Sequence, residues 1–176
     1  MVGIVIESAK SSNSEKNYIK NFLKNWFDID LDRVRFYQMS GKSELLKKTH
    51  PNYKIMAQEK LKKVLFILDA DDDYEKTQKD IKNLIDNLDI DTKMNYFISC
   101  NPETKKGAIE DLLLSALESE KLKHCYEKFI FCIDNIEYNP KTLYKKMCDI
   151  TKGSPIDFEH KNLQELKNKL KWLIGV

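Results

Sequence analysis

Five consecutive apolar residues, Val64-Leu65-Phe66-Ile67-Leu68, run without a break into Asp69-Ala70-Asp71-Asp72-Asp73. A short run of this kind has no polar face to show to water. It fits a strand covered on both sides, as in a parallel sheet. The aspartates cannot continue into such a core, so they mark the carboxyl end of the strand and a turn beside it. A chain built around this segment must supply neighbouring strands and enough helices to cover two faces.

The rest of the sequence offers both. Val2-Gly3-Ile4-Val5-Ile6 is a second apolar run, ended by Glu7. Ser12 and Glu15 have the spacing of a capping box, so a helix is expected from about residue 13. Tyr18, Ile19, Phe22, Leu23, Trp26 and Phe27 give it one apolar stripe. Val34 to Met39 reads as a strand and Ser40-Gly41 as a turn. Residues 43 to 60 read as weakly helical with a break at His50-Pro51, because the residue before proline avoids helical geometry. After the acidic turn comes a helix with Ile81, Leu84, Ile85 and Leu88 on one side, then a short strand at Tyr96-Phe97-Ile98. Gly107 opens an amphipathic helix through Ile109, Leu112, Leu113, Ala116 and Leu117. Residues 126 to 134 fit either a fifth strand or more helix. Asn139-Pro140 starts a helix that stops near Gly153 and Pro155, and a last helix carries Leu163, Leu166, Leu170 and Leu173.

This alternation predicts an α/β fold: a Rossmann-like, mainly parallel four-stranded sheet flanked by helices, with a helical C-terminal extension. On this reading residues 1–135 form the α/β domain, and residues 136–176 the extension packed on it, a single domain overall. With 176 residues the chain can bury a core without disulfides. Its 30 basic and 28 acidic residues nearly cancel. That balance does not announce a nucleic-acid binder, although a local basic face is compatible with it. Cys100, Cys125, Cys132 and Cys148 form no CxxC pair and no zinc-like spacing with a histidine. They are expected to be reduced, mostly buried thiols of a cytosolic protein. No run approaches the ~18 apolar residues of a membrane span, and the apolar N-terminus is shorter than a signal peptide. The expectation is a soluble, cytoplasmic protein with no membrane partner.

Ligands of open parallel sheets bind beyond the carboxyl ends of the strands. Glu7 and the Asp69 cluster both fall there. In extended chain the spacing of Asp69 and Asp71 sends their side chains to one side. Carboxylates so close repel unless a proton or cation lies between them, and hard cations such as Mg2+ favour oxygen donors. The ordinary alternative is that these aspartates serve a turn and a helix cap, a role expected of Asp72 or Asp73. Glu110 has a similar alternative, since acids are favoured in the first turn of a helix. Lys10, Lys42, Lys105 and Lys106 lie on loops expected near the same edge. They are either phosphate contacts or solvated surface lysines. No Gly-rich phosphate loop is present, and Ser8, Ser11 and Ser12 have no histidine base nearby in sequence.

Val5-Ile6-Glu7, then a helix, then Phe66-Ile67-Leu68-Asp69-Ala70-Asp71, resembles the Toprim domain of topoisomerases, bacterial primases and overcoming-lysogenization-defect nucleases. Ser8 stands where that family usually has glycine. Gly107-Ala108-Ile109-Glu110-Asp111-Leu112-Leu113 resembles the G-x-x-E-D-x-L pattern of a stand-alone, Toprim-related group of bacterial proteins. The resemblance covers residues 2 to 117. It implies Mg2+ or Mn2+ held by Glu7, Asp69 and Asp71, with Glu110 and Asp111 as ligands of a second metal. It further implies hydrolysis of nucleic-acid phosphodiesters, a nuclease in the first instance. Two ions ~4 Å apart would clamp the attacking and leaving oxygens. No tyrosine nucleophile can be assigned, so strand passage is not implied. The implied partners are nucleic acid, a separate ATPase, or a second copy of the chain. Two other readings stay open. One is a non-catalytic binding module. The other is a phosphatase of haloacid dehalogenase type, although that family places its D-x-D on the first strand rather than the third.

Overall fold

The computed structural model describes residues 1–7, 14–132, 139–151 and 154–176. Its strands are β1 (Val2–Glu7), β2 (Val34–Met39), β3 (Lys63–Asp69) and β4 (Lys93–Ser99). They form one four-stranded sheet in the order β2-β1-β3-β4. All three pairings are parallel. Ile4 sits opposite Phe36 on one side and Leu65 on the other. The helices are α1 (Ser14–Phe27), α2 (Lys42–Leu45), α3 (Pro51–Gln58), α4 (Tyr74–Asn87), α5 (Ile109–Leu114), α6 (Glu120–Cys132), α7 (Pro140–Thr151) and α8 (Gln164–Ile174).

Side chains alternate across a strand, so the two central strands feed two separate cores. Ile4, Ile6, Leu65 and Ile67 belong to a core completed by α1, α5, α7 and α8. Val5, Val64, Phe66 and Leu68 belong to a second core with Leu45, Tyr53, Met56, Ile81 and Leu84 from α2, α3 and α4. Covering on both faces is why these strands read as unbroken apolar runs. Helix starts follow the local chemistry. Asp73 accepts from the Lys76 N–H at 2.9 Å and caps α4. The His50 ring nitrogen accepts from the Asn52 N–H at 3.2 Å and caps α3, whose first residue is Pro51.

Two expectations change and one open alternative is resolved. The helix opened by Gly107 ends at Leu114, before Ala116 and Leu117. There the Asp157 N–H donates to Ala116 O (2.8 Å) and the Glu118 N–H to Pro155 O (2.9 Å). The chain thus pairs with a distant segment instead of continuing its own helix. The ambiguous stretch is helical over its described part, 126–132, within α6. Residues 133 and 134 lie outside the described residues, as do the domain boundary near residue 135 and Ser12 of the capping box. The cysteines are all free, but only Cys100 is buried. Cys148 is half-buried, and Cys125 and Cys132 are exposed on α6. Elsewhere α7 packs on α5, and α8 lies against β3 and β4. Among the described residues no helix is long and apolar enough to cross a membrane.

Candidate functional site

β1 has β2 on one side and β3 on the other. The chain therefore leaves β1 in one direction and reaches β3 in the opposite one. The crevice between the carboxyl ends of β1 and β3 is the topological switch point of this sheet. Glu7 is the last residue of β1 and Asp69 the last of β3. The two meet there: the Asp69 N–H points to Glu7 Oε2 at 3.5 Å.

Asp69 Oδ1 accepts from the Ser99 hydroxyl (2.6 Å) and from the Ile109 N–H (3.0 Å). By exposed area Asp69 is only partly buried. Protein atoms nevertheless crowd its carboxyl on nearly every side, and it is this crowding that governs desolvation. Burial pushes its pKa up to about 8, opposed by the Ser99 hydrogen bond and aided by the charges of Glu7, Glu110 and Asp71. Burial also raises Glu7, as does Asp71. The Lys42 charge and the backbone N–H groups of Asp69 and Lys42 pull it back down.

Asp71 does not follow Asp69 in extended geometry. Its φ is 52°, in the left-handed region that aspartate tolerates better than most residues. The cause is a two-way backbone pairing with Gly107: the Asp71 N–H donates to Gly107 O (3.0 Å), and the Gly107 N–H to Asp71 O (2.7 Å). The Asp71 side chain is 62% exposed and bonds Lys42 Nζ at 2.6 Å. Lys42 Nζ also reaches Thr77 Oγ1 at 3.1 Å and Ala70 O at 3.4 Å. The lysine is delivered by Gly41, whose φ of 93° turns the chain at the start of α2.

Asp111 and Glu110 lie on α5 at the same edge. Asp111 Oδ2 accepts from the Ala108 N–H at 2.8 Å, the backward half of a capping box. Gly107 is required here, since its φ is 92° and a Cβ would stand 2.6 Å from Asp111 Cγ. Glu110 is 4% exposed, and its Oε1 has no hydrogen-bond partner among the described residues. Lys141 of α7 stands 4.0 Å from that oxygen and 2.9 Å from Glu15 Oε1. Burial raises Glu110, while its own backbone N–H and Lys141 lower it. Burial raises Asp111 too.

Glu7, Asp69, Asp71, Glu110 and Asp111 thus share one edge of the molecule, but in different environments. Asp69 is held by donors, Asp71 by a lysine and Asp111 by a helix terminus, while Glu110 is enclosed. Among the described residues no three His, Cys, Asp or Glu side chains gather as a metal-holding group. The donor chemistry fits a hard divalent cation, because every candidate is a carboxylate, and burial and neighbouring acids, Asp71 for Glu7 and Glu7, Glu110 and Asp71 for Asp69, push both up.

Ser8, Lys10, Ser11 and Ser12 lie outside the described residues. Lys105 stands over the Tyr74 ring at 5.5 Å. The sequence reading missed Ser99, Thr77, Glu15 and Lys141. Ser99 carried a usable signal, a polar residue ending a buried strand in register with Asp69. Lys141 carried none, since only the packing of α7 brings it to Glu110. No family model, curated protein or solved structure matches this chain.

Proposed function

We propose that this chain is a Toprim-like, Mg2+- or Mn2+-dependent enzyme that hydrolyses nucleic-acid phosphodiester bonds, a nuclease. The observation that carries the reading is the meeting of Glu7 and Asp69 across the switch point, where the Asp69 carboxyl is pushed up to about 8. Two acids at a switch point, both pushed up chiefly by burial, with the Glu7 charge raising Asp69 further, are a candidate functional pair. A bound divalent ion would lower the pKa of a water and stabilise charge on the phosphate. The chain's own residues do the positioning. Ser99 and the Ile109 N–H fix Asp69 Oδ1, which leaves Oδ2 as the donor oxygen. Glu7 faces it from β1, and Asp71 stands at the rim.

A groove beside the first half of β2, away from the acids at the carboxyl edge, is compatible with a polyanionic substrate. Lys16, Lys20 and Arg35 line it together with Asp32, and the two ammonium groups are 5.6 and 5.9 Å from the Phe36 ring centroid. Such a groove offers cations to a phosphate backbone.

The test is cleavage of plasmid and single-stranded DNA with Mn2+ or Mg2+, comparing the protein with Asp69→Ala. The reading expects metal-dependent cleavage reduced at least about a hundredfold in the variant, the usual scale for losing an essential group. Equal cleavage by both, or none by either, sinks it. One observation favours a second reading, a non-catalytic module that works beside a separate ATPase: the Lys42–Asp71 pair already neutralises one of the acids. A folded protein that gives no calorimetric signal with Mn2+ would support that reading instead.

A further inference from the structure

We infer that Lys42 is a built-in counter-ion of the acidic site, and that its ammonium and a divalent cation compete for the Asp71 carboxylate. The inference rests on the metal-dependent reading above. Lys42 Nζ is held by Asp71 Oδ2 at 2.6 Å, Thr77 Oγ1 at 3.1 Å and Ala70 O at 3.4 Å. The Lys42 charge and its backbone N–H also act on Glu7, both lowering its pKa. Its side chain is only 20% exposed, unusual for a residue type that normally keeps its charge in water. Thr77 is 3% exposed and its hydroxyl donates to Ala70 O at 3.3 Å, so its oxygen lone pairs are turned to the ammonium. Of these three acceptors only the Asp71 carboxylate belongs to the acidic set, so it is the group over which the ammonium and a hard cation would compete.

This seat has a consequence for the acids. While Asp71 holds Lys42, it is not available to Asp69 and Glu7, and among the described residues no three acids gather. A divalent ion that recruits Asp71 must break the 2.6 Å pair and overcome repulsion from the ammonium. Lys42 therefore neutralises one acid of the site without metal and sets a threshold for loading it. A lysine that merely positioned Asp71 for the metal would have the opposite effect on affinity.

The sign of that effect decides between the two. Mn2+ affinity is measured by calorimetry and by the EPR signal of free Mn2+ on the wild-type protein, Lys42→Met, Lys42→Gln and Thr77→Val, with circular dichroism to verify folding. Thr77→Val removes one acceptor of the ammonium and no acid, and it keeps the proposal testable if both lysine variants misfold. Competition predicts a dissociation constant at least about tenfold lower in the Lys42 variants and severalfold lower in Thr77→Val, since loss of one charge-assisted bond is worth a factor of that size. Wild-type binding with equal or weaker binding in every folded variant overturns the competition and leaves the metal site standing. Absence of binding in all of them removes the metal reading, and this inference with it.

Discussion

Replacing Asp69 by asparagine should make the metal-free protein more stable, and increasingly so as pH rises. The amide is nearly isosteric, and its oxygen can still accept from the Ser99 hydroxyl and the Ile109 N–H. What it cannot do is ionise. The carboxyl has an ordinary value of 3.8 and is pushed up to about 8 in the folded chain. Between these values the folded state binds a proton that the unfolded state has lost. Stability is therefore highest below the unfolded value and falls as pH rises through the folded one. At about 1.4 kcal/mol per pH unit this displacement amounts to on the order of 6 kcal/mol. Because Asp69 keeps part of its surface in contact with water, about half of that, roughly 3 kcal/mol, is the working figure. For a domain of this size 1 kcal/mol moves the melting temperature by roughly 2–4 °C, so Asp69→Asn should melt about 6–12 °C higher than the wild type near pH 9. Near pH 5 the two should be close. The assay is thermal and urea unfolding in EDTA from pH 5 to 9. A stability difference that stays constant with pH would refute the argument, because it would mean that Asp69 titrates alike in both states. Saturating Mn2+ should flatten the wild-type dependence, since an ion bound to the carboxylate replaces the proton.

Two further outcomes follow from the same edge. Gly107→Ala forces a side chain into a φ of 92° and onto the Asp111 carboxylate. It should cost about 2 kcal/mol or more, visible as a melting point lowered by roughly 4–8 °C, and an unchanged melting point would show that the turn relaxes freely. Burial raises Glu110, so its ionisation costs stability as pH climbs through its folded value. Glu110→Gln should accordingly match the wild type in acid and exceed it in mild alkali during urea unfolding, whereas a variant weaker at high pH would show that attraction to Lys141 outweighs burial.

Much of the fold was legible because periodicity is local. A strand covered on both faces shows itself as an unbroken apolar run, and β1 and β3 were found that way, each with its acid at the end. A break at His50-Pro51 and a cap at Asp72 or Asp73 were legible through chemistry within one turn, and the structure starts α3 at Pro51 and caps α4 with Asp73. The end of α5 was not legible, because Ala116 and Leu117 keep helical spacing while hydrogen bonds from residues near 156 redirect the chain. The exposure of Cys125 and Cys132 was equally hidden, since composition says that thiols tend to be buried but not which face of α6 is covered.

The sequence by itself determined that acids would stand at the carboxyl ends of buried parallel strands. That follows from which residues can enter a core and which must end one. Only the tertiary structure decided how those acids differ. The strand order set Glu7 beside Asp69. A backbone pairing with Gly107 turned Asp71 out of extended geometry. The fold also brought Lys42, 29 residues away in sequence, onto Asp71, and Lys141 of α7 within 4.0 Å of Glu110. A carboxylate's chemistry depends on its charged neighbours and on how much water reaches it, and both are set by contacts between elements distant in the chain.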